Sequence, residues 1–342
     1  MVPTATSTRR RSAATLTDVA ARAGVSKASA SVILNGSRSS AVVSADAKER
    51  ILSAAHELAY NRNAVARSLS SRRTDVLGFY STTSYLDLHD PFMAALIAGL
   101  QDGCELLCKD LLLHGTFHGH SSRAIYGELA NGKIDGLVVI ARPDNPLLDL
   151  LVGSHLPVVA VADAVPNLPS VVVDDVMGSR LLAMHLKEKG HQRVLYRKSP
   201  RPFVSVERRL QGFREASHDL GLHVDEVVAP YDAVGLTEDD LQYLKAPISQ
   251  RPTAAVCWAD NAAWLFWRNC KEAGLRVPDD IAITGFDGVR STQGPVSNLT
   301  TVHAPWAKVA ETAISLLGAQ IAHEEVPLET VLPVTLTSGE TT

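Results

Sequence analysis

From Val76 onward, short apolar runs alternate with longer amphipathic stretches, and this alternation constrains the fold more than any other feature of the chain. The strand-like runs are Val76–Tyr80, Asp110–His114, Asp135–Ile140, Pro157–Ala162, Ser170–Asp174, Arg193–Tyr196, Glu226–Ala229, Ala254–Trp258 and Ile281–Phe286. Helical patterns lie between most of them, at about 91–108, 121–131, 176–189, 206–220, 237–245, 261–273 and 305–322. A βαβα order needs crossover helices, so it predicts an α/β fold of parallel sheets covered on both faces. The stretch is too long for one ordinary doubly wound sheet. Two lobes, roughly 76–175 and 176–300, with exchanged carboxy-terminal segments, fit the pattern within a body spanning 76–342.

The first 75 residues have another texture. Residues 1–14 are small, polar and basic and are expected to form a disordered arm. Thr15-Leu16-Thr17-Asp18 reads as a capping box, Leu16, Val19, Ala20 and Ala23 share a face at helical spacing, and Gly24 is placed to end that helix. Ser26 is a natural N-cap for a second helix from Lys27 to about Leu34, closed by Asn35-Gly36. Helix, tight turn and helix have helix-turn-helix spacing within an all-α head spanning 15–62. A third helix is expected from Ser44 to Ala59. Asn63 can cap a very short fourth one, Ala64 to Ser70, in a hinge and linker spanning 63–75.

Charge divides the chain at the same place. Residues 1–75 hold 12 Lys or Arg against 5 Asp or Glu, a formal +7, whereas the whole 342-residue chain carries −4. A basic head on an acidic body implies a head that meets a polyanion. No apolar run approaches the length of a membrane span, and Arg9, Arg10 and Arg11 lead into no apolar signal segment. Four cysteines without paired CxxC spacing build no disulfide framework. The chain therefore reads as a cytoplasmic protein that does not enter a membrane.

Catalytic and metal chemistry find little support. There is no GxSxG elbow, P-loop or HExxH. Cys104 and Cys108 lie one turn apart on an apolar helix, as buried thiols do, with no matching His or Cys pair. His114, His118 and His120 are expected in a solvated or cleft-rim loop, Asp174-Asp175 in a strand-to-helix cap, and Trp264 and Trp267 in packing. No enzyme activity, metal or cofactor is expected. Two short helices around a glycine turn also occur in ordinary bundles, so spacing alone leaves DNA binding and simple packing both open.

The motifs carry a resemblance. Thr15-Leu16-Thr17-Asp18-Val19-Ala20-Ala21-Arg22-Ala23-Gly24-Val25-Ser26, then Ser31-Val32-Ile33-Leu34-Asn35-Gly36, resembles the head of the lac-repressor/galactose-repressor family of bacterial regulators. Tyr60-Asn61-Arg62-Asn63-Ala64-Val65-Ala66-Arg67-Ser68-Leu69 is similar to that family's hinge. Asp90-Pro91-Phe92, Ile134-Asp135-Gly136-Leu137, Val172-Val173-Asp174-Asp175, Arg209-Leu210-Gln211-Gly212-Phe213, Gly285-Phe286-Asp287 and Leu299-Thr300-Thr301-Val302 follow in family order.

The resemblance implies a periplasmic-binding-protein-like two-lobed body behind the head. It places Lys27 and Ala28 at positions that read the major groove, and Thr15, Ser26, Ser31 and Asn35 at positions that hold phosphates. Leu16, with Asn63 and Ala66 in the hinge, completes the DNA-facing set. Val32 stands where an Arg is common; it donates no hydrogen bond but can meet a thymine methyl. Leu69 matches a minor-groove wedge, whose unstacking cost of a few kcal/mol per step is offset by the contacts of bent DNA. For the body, Phe92, Arg142, Asp163, Arg209, Trp258, Asp260 and Asp287 are the implied effector-binding residues. Ala259-Asp260 replaces the family's usual Asn-Asp pair, and Gly288 stands where a second acid or Asn is frequent.

The expected function is therefore a homodimeric DNA-binding regulator, a repressor, that grips a pseudo-palindromic double-stranded operator and answers to a small sugar-like or nucleoside-like effector. The competing reading is a small-molecule binding protein whose lobes are the whole function; the basic head argues against it.

Overall fold

The computed structural model describes residues 13–35, 43–61, 68, 71–82, 90–115, 117, 119–229, 236–247, 250–289 and 298–342. It divides into two compact units, Met1–Asp75 and Val76–Thr342. The arm expected over 1–14 lies almost wholly outside the described residues, as does the expected hinge helix with Asn63, Ala66 and Leu69.

The head is built from three helices, α1 (Leu16–Ala23), α2 (Lys27–Asn35) and α3 (Ala45–Glu57). The Thr15 hydroxyl accepts the Asp18 amide at 3.3 Å, and Asp18 accepts the Thr15 amide at 2.8 Å, which closes the capping box. Gly24, with φ +66°, ends α1 in the left-handed region, where a side chain would be strained. Ser26 and Ser44 accept the amides of Ser29 and Ala47, so both following helices start on a hydroxyl. Val19, Ala20, Ala23, Ala30, Leu34, Ile51 and Ala54 form the core. The core is small and mostly alanine, which brings the helix axes close.

The body holds two six-stranded sheets. The first lobe orders β11-β5-β4-β3-β1-β2 and the second β12-β10-β9-β8-β6-β7. In chain order the strands are β1 (Val76–Ser81), β2 (Asp110–Leu113), β3 (Gly136–Ile140), β4 (Val158–Val161), β5 (Ser170–Val173), β6 (Arg193–Lys198), β7 (His223–Val228), β8 (Ala254–Cys257), β9 (Ala282–Asp287), β10 (Thr300–His303), β11 (Glu329–Leu332) and β12 (Thr335–Thr337). The described pairings are parallel, with β12 running antiparallel to β10. β3, β4, β5 and β8 are buried throughout because helices cover both faces, and their unbroken apolar runs reflect it.

The helices of the body are α4 (Pro91–Leu106), α5 (Ser122–Leu129), α6 (Leu147–Val152), α7 (Asp175–Glu188), α8 (Val204–Leu220), α9 (Glu238–Leu244), α10 (Asp260–Glu272) and α11 (Trp306–Ile321). The chain crosses between lobes after β5, after β10 and between β11 and β12. α11 returns to the first lobe and packs along α4, where a Cβ built at Gly99 would overlap the Ala307 carbonyl. β11 then extends the first sheet and β12 the second, so the exchanged carboxy-terminal segments are present.

Some expectations are corrected. β7 begins at His223 rather than Glu226, because this edge strand carries His223, Asp225 and Glu226 and lacks an apolar run. β10, β11, β12 and α6 have no counterpart among the expected elements; all are short, and β11 and β12 gain their hydrogen bonds only from distant neighbours. Cys104 is buried but Cys108 is exposed, since α4 ends at Leu106 and the chain turns through positive φ at Cys108. His114 is buried beside Phe117 rather than solvated, while His118 lies outside the described residues.

Candidate functional site

In the head, Thr15, Ser26, Lys27 and Ala28 are exposed, while Leu16, Ser31, Val32 and Asn35 are half-buried. Ser26, Lys27 and Ala28 form the first turn of α2, so one helix start presents a hydroxyl, an ammonium and a small side chain together. Asn35 donates to the Ser31 hydroxyl one turn away at 3.4 Å. Arg50 Nη1 donates to the Ala23 carbonyl at 2.9 Å, so that basic side chain closes α1.

In the body, a cavity of about 360 Å³ lies between the lobes, within the range of small-molecule sites. It sits at the carboxyl ends of strands, where a doubly wound sheet opens. Ile140 ends β3, Asp163 follows β4, Trp258 follows β8, and Asp287 ends β9; all four line it. Phe92 enters from the start of α4 and Trp306 from the start of α11, packed edge-to-face at 4.9 Å.

Arg209 forms the base. It projects from α8, is 4% exposed, and places its guanidinium carbon 3.6 Å from the centroid of the Phe286 ring. Nε donates to Asp175 Oδ1 at 2.7 Å, and Nη1 to the Trp258 carbonyl at 2.8 Å and to Asp287 Oδ1 at 3.4 Å. These contacts leave Nη2 as the amino group without a partner among the described residues. Burial pushes Asp175 up to about 6 despite Arg209. Asp287 is pushed up to about 7 by burial, with Arg209 opposing and the charges of Asp175 and Asp90 adding to the rise. Asp287 also holds φ +124°, a strained geometry for a side-chain-bearing residue, followed by Gly288 at φ +70°.

Asp260 does not line the cavity. It is fully buried beneath the 287–289 turn, accepting the Thr301 hydroxyl at 2.5 Å and the Val289 amide at 2.9 Å, so it holds the strained turn that presents Asp287. Burial and the neighbouring Asp287 charge raise its pKa. Arg142 also lies outside the lining; it pairs with Asp144 at 3.1 Å in the turn after β3. Asp174 caps α7 through the Met177 amide as expected, but Asp175 turns inward to Arg209 instead of capping.

Polar contacts span the lobes. Asp163 accepts the amides of Val204 and Ser205 at 3.1 and 2.7 Å, Asn261 reaches Asp90 at 3.4 Å, and Arg208 forms a fork with Glu329 at 2.9 Å. Of the expected effector residues, Phe92, Asp163, Arg209, Trp258 and Asp287 converge on one cavity. Asp90, Phe203 and Trp306 join them without having been singled out. Asp90 was legible as a helix cap before Pro91, whereas Trp306 arrives only because the chain returns after β10. Among the described residues, no group of three or more His, Cys, Asp or Glu is placed to hold a metal ion, and no helix is long and apolar enough to cross a membrane.

Residues 15–63 match the model for bacterial regulatory proteins, lacI family, and residues 183–342 match a periplasmic binding protein-like domain. The HTH-type transcriptional repressor PurR of Mannheimia succiniciproducens is 30% identical over 325 residues, covering 93% of this chain and 95% of that protein. The lac repressor dimer bound to operator and the anti-inducer ONPF superposes with a TM-score of 0.77 at 23% identity, over 96% of this chain and 98% of the other. A transcriptional regulator CelR-cellobiose complex superposes with a TM-score of 0.68 at 26% identity, over 96% of this chain and all of the other.

Proposed function

The chain belongs to the lacI family of bacterial regulatory proteins, and from that premise we propose that it is a dimeric repressor whose grip on a pseudo-palindromic operator is set by a small polar effector in the interlobe cavity. At the coarser level it is a DNA-binding transcriptional repressor with an effector-binding domain. The observation that carries the finer reading is the buried Arg209 fork. Its Nη2, without a partner among the described residues, and the Asp287 carboxyl sit at the base of a cavity walled by Phe92, Trp258 and Trp306. A hydrogen-bonding base between apolar walls suits a sugar-like or nucleoside-like ring.

In the head, Lys27 and Ala28 read base edges while Thr15, Ser26, Ser31 and Asn35 hold phosphates, with Leu16 and Val32 alongside them. Two heads would enter successive major grooves about 34–36 Å apart, with the hinge residues Asn63, Ala66 and Leu69 in the minor groove between. A structural neighbour, the lac repressor, is a dimer bound to operator, which supports the dimeric, operator-binding part of this reading. A ligand acts only through different affinities for the two states, with typical coupling of about 1–3 kcal/mol. Asp163, Asn261 and Arg208 span the lobes, so the ligand and these contacts draw on the same closure.

Selection of bound sequences from random duplex DNA, repeated with pooled metabolites, tests the proposal. A two-fold symmetric site whose recovery changes with metabolites is expected. Retention on no duplex at low salt, with or without metabolites, overturns it.

A further inference from the structure

Helix N-termini that meet the cavity are the natural places for an anionic group, because their amides lack intrahelical partners and the helix dipole favours negative charge there. At α4 and α8 these amides are already taken by the chain's own carboxylates, whereas α11 starts at Trp306 without a side-chain cap. Asp90 accepts the Phe92 amide at the start of α4 at 3.1 Å. Asp163 accepts both the Val204 and Ser205 amides at the start of α8. At the start of α10 the Asp260 amide favours the charged form of Asp287, against the effect of burial. The lining therefore sets Asp90, Asp163 and Asp287 against Arg201 and Arg209, with two more buried carboxyls, Asp175 and Asp260, immediately behind. Arg209 is itself shared among Asp175, the Trp258 carbonyl and Asp287, so among the described residues Nη2 is the one amino group it has left for a phosphate or carboxylate.

We infer that this cavity selects an effector without net negative charge, a neutral polyol or an amine-bearing ring, and rejects phosphorylated and carboxylated analogues. The inference rests on the interlobe cavity being the effector site. A neutral hydroxyl or an ammonium donates to the exposed side of Asp287 and offers an oxygen to Arg209 Nη2. An anion instead meets Asp90, Asp163 and the charged fraction of Asp287, itself raised to about 7, in a desolvated site where repulsion is poorly screened.

The test uses the full-length protein and metabolites separated by ion exchange into neutral, cation-retained and anion-retained fractions. It is supplemented with the matched set glucose, glucosamine, glucose 6-phosphate and gluconate. Melting temperature and operator release are read for each. Activity confined to the neutral or cation-retained fractions, with any active scaffold weakened at least tenfold by phosphorylation or oxidation to the acid, is the expected result. In Asp287→Asn the gap between a neutral scaffold and its anionic partner narrows; Asp163→Asn serves the same purpose if the first variant fails to fold. An anion-retained fraction that is the most active, or neutral and anionic partners that bind alike, overturns the inference. If no fraction moves either readout, effector control itself fails, an outcome distinct from a reversed charge preference.

Discussion

Arg209 donates through Nε to Asp175 Oδ1 over 2.7 Å, and both side chains are buried, at 4% and 2% exposure. This pair joins the second helical turn of α8 to the first residue of α7 and fixes the direction of the guanidinium. The cavity base therefore depends on a contact between two helices of the second lobe.

Truncating one partner of a buried ion pair leaves the other uncompensated and costs about 3–5 kcal/mol. Arg209→Ala should therefore lower the stability of the body as well as abolish the effector response. Arg209→Lys keeps a charge but loses the fork, and should retain operator binding with little response. Denaturation midpoints and effector titrations separate the two; an unchanged response in Arg209→Lys would remove the fork from the site.

Asp163 contributes two amide hydrogen bonds across the lobes, and bonds to a charged group are worth about 1.5–3 kcal/mol each. Asp163→Ala should open the lobes while leaving each lobe folded. Small-angle scattering is expected to show a larger radius of gyration for the variant, and no change would assign Asp163 to local capping alone.

Gly99 lies where α4 crosses α11, with no space for a Cβ beside Ala307. Overpacking typically costs about 1–3 kcal/mol, so Gly99→Ala should lower the melting temperature by several degrees. The head's intrinsic contacts with DNA are expected to survive, which non-specific DNA binding would reveal.

Asp175 and Asp287 are raised by burial to about 6 and about 7. Each holds its proton more tightly folded than unfolded. Their stabilising contribution is therefore full below the unfolded value of about 3.9 and is lost as pH rises through 6 and 7. Urea midpoints of the body should fall across that window, and Asp287→Asn should flatten the upper part of the fall. A midpoint that rises with pH and keeps the same slope in Asp287→Asn would contradict the assignment.

Leu69 lies outside the described residues, and its role as a minor-groove wedge is part of the proposal. Leu69→Ala should weaken operator binding by at least tenfold and leave non-specific binding nearly unchanged, because the wedge acts only on DNA bent at the operator. Equal losses on both would reject the wedge.

The sequence by itself determined the features whose physics is local. Thr15 and Asp18 cap one another across three residues, Gly24 takes a left-handed turn, and Ser26 and Ser44 start their helices through hydroxyls a few atoms away. The apolar runs of β3, β4, β5 and β8 announced strands buried on both faces. Tertiary structure alone decided the partners. Asp175 and Asp260 carry no sign in their neighbours of whether they face the cavity, an arginine or a turn, and each was settled by residues at least 29 positions away. Trp306 reached the cavity because α11 returns to the first lobe, and β11 and β12 became strands because edges formed much earlier in the chain were waiting for them. Caps and hydrophobic periods are short-range terms written in adjacent residues; the pairing of a buried charge is a long-range term, and it exists only once the chain has closed.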